Sequence, residues 1–123
     1  MPVADLLLVP KEKIVFNAPF IADQYSCVRL TNSDTANRVG YRIKCKDTMR
    51  LGAKPEKGLL DPGEHKDVHV DYRKFMRDPE QKIEDRLIIE WAKVPDGVNE
   101  FNETWFNVSD MTRRAYLKVA HNV

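Results

Sequence analysis

Apolar side chains return at every second position in five separate stretches of this chain, and that alternation excludes most folds. Val28 and Leu30 alternate within residues 26–31, and Val39, Tyr41, Ile43 and Cys45 within 39–45. Val68, Val70 and Tyr72 do so within 66–72, Leu87, Ile89 and Trp91 within 86–92, and Leu117 and Val119 within 116–120. A period of two puts one face of a strand in a core and the other in water, whereas a helix needs a period near 3.6. Two shorter stretches complete the set: 13–16, β-branched and aromatic, and Leu59-Leu60 between the turn residues 55–58 and 61–63. Short strands with turn signals every eight to twelve residues predict an all-β, seven-stranded, immunoglobulin-like β-sandwich. Helix is scarce. Single turns are expected at 72–76 and near Ser109-Asp110-Met111, with Ser109 or Asp110 as N-cap.

A length of 123 residues fits one domain spanning 1–123, with its core at about 10–120. At this size no disulfide or metal is required for folding. Lys plus Arg number 20 against 19 Asp plus Glu, a net charge of +1. That balance argues against a nucleic-acid binder, which carries a clear basic excess. The apolar run at 6–9 is too short for a membrane span or a secretory leader, so a cytoplasmic protein with no direct membrane insertion is expected. Cys27 and Cys45 are then read as free thiols, because no cysteine lies in the 86–92 strand to receive an inter-sheet bridge. The matches to the glycosylation pattern at Asn102 and Asn107 are read as chance.

The chain carries no Gly-rich phosphate loop, nucleophile elbow or zinc-binding helix motif. His65 and His69 are four apart, but on a strand that separation is about 13 Å, too far for two ligands of one zinc. The carboxylates Glu80, Glu84, Asp85 and Glu90 are read as surface charge. No catalytic, metal or cofactor site is expected, and the protein is read as not an enzyme.

Five ordered stretches give a more specific reading: KIVFNAPF at 13–20, RVGYRIK at 38–44 running on to RLG at 50–52, GLLDP at 58–62, DRLIIEW at 85–91 followed by PDG at 95–97, and Trp105-Phe106 with DMTRR at 110–114. Together they resemble the major sperm protein family of nematodes. The resemblance implies the same sandwich, in a cytoskeletal protein of the sperm pseudopod. Such a protein pairs with itself as a homodimer that builds filaments, or with another sperm cytoskeletal protein. Candidate self-association residues are Lys13, Ile14, Val15, Phe20, Cys27 and Arg29. Phe16 is assigned to the core, while Phe20 is left open between core and contact. Wider relatives of the family dock short acidic peptides on a basic strand face. The alternative reading is therefore a non-polymerising binding module, with Arg42, Lys44, Lys46, Arg86 and Ile88 as its peptide-binding face. Lys44 keeps the lysine of those adaptors, whereas Cys45 and Lys46 replace their two threonines.

Overall fold

The computed structural model describes residues 6–46, 49–95, 97–107 and 112–123. Nine strands form: β1 (Leu6–Val9), β2 (Lys13–Asn17), β3 (Gln24–Asn32), β4 (Val39–Lys46), β5 (Leu51–Lys54), β6 (Lys57–Leu60), β7 (His65–Tyr72), β8 (Arg86–Lys93) and β9 (Thr112–Asn122). They make a four-stranded sheet in the order β1-β3-β7-β5 and a five-stranded sheet in the order β2-β9-β8-β4-β6. Every ladder is antiparallel except β2 with β9, which run parallel.

The alternating residues form the core. Val28, Leu30, Val68, Val70 and Tyr72 of the first sheet are fully buried, as are Tyr41, Leu87, Ile89 and Leu117 of the second. Each side chain of this size contributes about 1.5–3 kcal/mol when removed from water. Phe16 and Phe20 join them, with the Phe16 ring stacked on Tyr72 at 4.7 Å between centroids. Cys27 lies exposed on the outer face of β3, and Cys45 is half-buried on β4; both are free. Burial pushes the Cys45 thiol up to about 11. Because the thiolate is the reactive form, alkylation of the native protein near neutral pH should label Cys27 well before Cys45. Equal labelling rates would contradict the placement of Cys45.

Two local expectations need correction. Among the described residues the sandwich has nine strands rather than seven, because β1 and β5 complete the four-stranded sheet. Residues 73–76 form no helical turn. Their backbone donors go elsewhere: the Arg73 N–H to Arg50 O at 2.8 Å, the Lys74 N–H to the Asp23 carboxylate at 2.9 Å and the Phe75 N–H to Phe20 O at 3.1 Å. The segment is thereby stitched across neighbouring loops instead of to itself. A short 3-10 helix at Glu103–Asn107 was not anticipated. The Asn102 side-chain oxygen receives the Thr104 N–H at 2.9 Å and so caps it. The turn expected at Ser109-Asp110-Met111 lies outside the described residues.

Candidate functional site

The outer face of the five-stranded sheet collects a concentration of charge. Leu87 and Ile89 point into the core, so Arg86, Ile88 and Glu90 point out, and the same parity turns Arg42, Lys44 and Lys46 outward. Register then sets them in three rows across the strands. The first runs Lys57, Arg42, Glu90, Arg114. The second runs Lys44, Ile88, Tyr116. The third runs Lys46, Arg86, Lys118, Lys13.

Glu90 anchors the first row. Its side chain is 1% exposed although it sits on the outer face. Arg42 donates to it through Nε at 2.9 Å, Arg114 through Nε at 3.1 Å and Nη2 at 2.6 Å, and Lys44 Nζ stands 3.6 Å away. Burial alone would raise the Glu90 pKa, but the hydrogen bonds from Arg114 and Arg42 outweigh it and hold the carboxyl below its ordinary value. The upper rim of the face is roofed by the 3-10 helix. The Phe106 ring lies 4.4 Å from the Arg42 guanidinium carbon, and Trp105 passes over Gly40. A Cβ at residue 40 would stand 2.6 Å from the Trp105 ring, so only glycine admits this contact.

The candidate peptide-face residues Arg42, Lys44, Lys46, Arg86 and Ile88 are thus brought onto one surface. Arg42 is already committed to Glu90, with Glu103 at 3.7 Å on its other side. The proposed self-association residues divide. Lys13 and Val15 lie outward on β2, an edge strand whose far side has no ladder partner among the described residues. Cys27 and Arg29 lie outward on β3, where Arg29 forms an ion pair with Asp67 at 2.8 Å. Ile14 and Phe20 are 2% and 5% exposed and belong to the core, so their side chains are not available to a partner. Phe20 packs edge-on to Tyr72 and against Phe75 and His121. The sequence reading missed Ile21, between β2 and β3, and Tyr25 on β3, which are 77% and 75% exposed.

A second polar cluster lies buried at the end of the sandwich where β7, β8 and β9 meet. Asp85, read from sequence as surface charge, is 3% exposed. Arg50 donates to both of its oxygens at 3.1 and 3.0 Å, and the Tyr72 hydroxyl donates at 2.5 Å. Arg77 Nε donates to His121 Nδ1 at 3.1 Å, which leaves the neutral imidazole its proton on Nε2, 2.8 Å from the Tyr72 oxygen. Burial and the neighbouring Arg77 hold His121 below its ordinary pKa. The cluster is packed by Phe20 and Phe75 and forms a structural tie between the sheets.

The comparisons agree with this architecture. Residues 5–110 match the family model described as the MSP (Major sperm protein) domain. The chain belongs to the major sperm protein family. It is 37% identical over 123 residues to major sperm protein 10/36/56/76 of Caenorhabditis elegans, covering 99% of this chain and 96% of that protein. Major sperm protein 33 of the same organism matches at the same identity and coverage. Among solved structures, WR4, a Caenorhabditis elegans member of the family, superposes with a TM-score of 0.69 at 15% identity, covering 94% of this chain and 96% of WR4. SSP-19, from the same organism, gives 0.67 at 21% identity, covering 92% and 97%. A PapD-like domain of human CEP192 gives 0.54 at 12% identity, covering 94% of this chain and 84% of that one. The structural matches attest the immunoglobulin-type sandwich, and the sequence matches attest a major-sperm-protein-like structural protein.

Proposed function

We propose that this chain is a non-catalytic cytoskeletal protein of the sperm type, which dimerises and builds filaments for amoeboid movement. Its place is the cytoplasm of the sperm pseudopod. One observation carries the dimer: an open edge joined to exposed apolar side chains. The ladder between β1 and β3 covers only residues 29–32 of β3, so residues 24–28 have no ladder partner on that side among the described residues. The β2 edge lies beside it, joined through Gln24, whose side chain donates to Asn17 O at 2.8 Å and accepts the Asn17 N–H at 3.0 Å. Val15 on β2, Tyr25 on β3 and Ile21 in the segment between them are exposed. Free strand edges next to apolar side chains favour pairing between copies across a two-fold axis. Sedimentation of the wild-type chain at micromolar concentration should show a dimer, and Tyr25→Glu should shift it to monomer. A wild type that remains monomeric at every concentration would refute self-association.

The alternative reading is a module that docks an acidic peptide around Lys44, with Arg42, Lys46, Arg86 and Ile88. Its support is the second row, where Ile88 gives an apolar anchor between Lys44 and Tyr116. Charge reversal at Lys44 and Lys46 should abolish binding of a glutamate-rich peptide. Unchanged affinity would exclude this face.

A further inference from the structure

The third row of the outer face has a property that folding alone does not explain. Lys46 stands opposite Arg86, Arg86 opposite Lys118, and Lys118 opposite Lys13, so four cations face one another across four adjacent strands. Like charges directly opposite on a sheet are destabilising. In the first row Glu90 neutralises Arg42 and Arg114, but no carboxylate among the described residues lies within ion-pair distance of any of these four. Arg86 rests against the Tyr116 ring, 5.3 Å from its centroid.

At the β2 end the row opens into a hollow of about 380 Å³ lined by Lys11, Glu12, Lys13, Tyr116 and Lys118. The hollow is held in place by backbone: the Lys118 N–H donates to Glu12 O at 3.1 Å, and Lys13 is the register partner of Lys118. Three lysines therefore line one concavity together with one glutamate and the half-exposed Tyr116. A single carboxylate ligand would offset little of this charge. A compact anion carrying several phosphates would meet all three lysines at once, with the tyrosine ring against its carbon skeleton.

We propose that the Lys11–Lys13–Lys118 hollow is a binding site for a multiply phosphorylated small anion of the inositol phosphate class, free or as a lipid headgroup. Its three lysines are not among the candidate peptide-face residues, although Lys46 and Arg86, which are, extend its positive field along the row. An acidic protein segment fits less well. The backbone groups of β8 and β9 beneath the row are taken by their ladders, so an extended chain gains no main-chain hydrogen bonds from them.

The test uses the full chain with three probes: soluble inositol trisphosphate, phosphatidylcholine vesicles containing phosphatidylinositol bisphosphate, and plain phosphatidylcholine vesicles. Wild type should bind the first or second saturably and ignore the third. Binding to the soluble trisphosphate without the vesicles would assign a free ligand, and binding to the vesicles a headgroup. Lys13→Ala with Lys118→Ala should weaken binding about 25-fold, at about fivefold for each lysine. The same double variant should melt above wild type without ligand, because it relieves like-charge opposition, and should lose the ligand-induced rise in melting temperature. Lys54→Ala, on the other sheet, should behave as wild type. No binding by wild type to the phosphorylated probes, binding unchanged in the double variant, or capture of polyglutamate alone would each overturn the site.

Discussion

Asp85→Ala should cost about 3–5 kcal/mol of folding stability, the range for breaking a buried ion pair on one side only. The carboxylate is 3% exposed and receives three hydrogen bonds, two from Arg50 and one from the Tyr72 hydroxyl. Its removal strips the Arg50 guanidinium of this carboxylate while Phe75 still stacks on it 4.7 Å away. It also leaves the buried Tyr72 hydroxyl without its acceptor, which adds a desolvation penalty. The Tyr72 proton is firmly held, since burial and then the adjacent Asp85 both raise its pKa. At this chain length the loss corresponds to a fall in melting temperature of about 10–20 °C. Asp85→Asn keeps the shape and an acceptor for the tyrosine, so it should lose about half as much. Denaturant unfolding of the three proteins checks both values. A loss below about 1 kcal/mol for the alanine variant would show that Arg50 and Tyr72 find other partners.

Asp85 also marks how far the sequence could be read. Its position shares the parity of Leu87, Ile89 and Trp91, all of which face inward. The alternation therefore pointed Asp85 into the core, and its charge alone placed it at the surface. Strand β1 escaped notice because Leu6-Leu7-Leu8-Val9 has no alternation; Leu6 is buried by pairing with Asn32 across β3. Strand β5 escaped because Gly52 and Ala53 have weak strand preference. There the ladder with β7 decides, and a Cβ at Gly52 would stand 2.5 Å from the Asp71 carboxylate. Strand β9 begins at Thr112, four residues earlier than the apolar pattern suggested, and carries Arg114 to Glu90. No local pattern encodes that meeting. The rows of charge are likewise a product of register. Lys13 and Lys118 lie far apart in sequence, and only the parallel pairing of β2 with β9 makes them neighbours. The family motifs give the sandwich, whereas the charge arrangement depends on the pairing of distant strands.

Glu90→Ala should lower stability by about 2–3 kcal/mol and strengthen acidic-peptide binding around Lys44, so that the two effects run in opposite directions. The stability loss falls below that of Asp85→Ala because Lys44 and Arg114 are more than half exposed and can turn to water, where ion pairs contribute little. Arg42 is 19% exposed and held over Phe106, so it bears most of the cost. Added salt should recover part of the loss by screening the cations left behind. In wild type the same carboxylate sets an acid limit. Its folded-state pKa lies below the ordinary 4.5, so the unfolded chain takes up the proton first. The contribution of Glu90 is present above that value and is lost as pH falls through the folded-state pKa. In Glu90→Ala this part of the acid sensitivity should vanish. The peptide effect has the same electrostatic origin: removing the buried anion frees the field of Arg42, Lys44 and Arg114 toward a ligand. If glutamate-rich peptide binding instead weakened along with stability, Glu90 would be acting to position those cations for the ligand, and the gain from unmasking them would be smaller than the cost of losing their geometry.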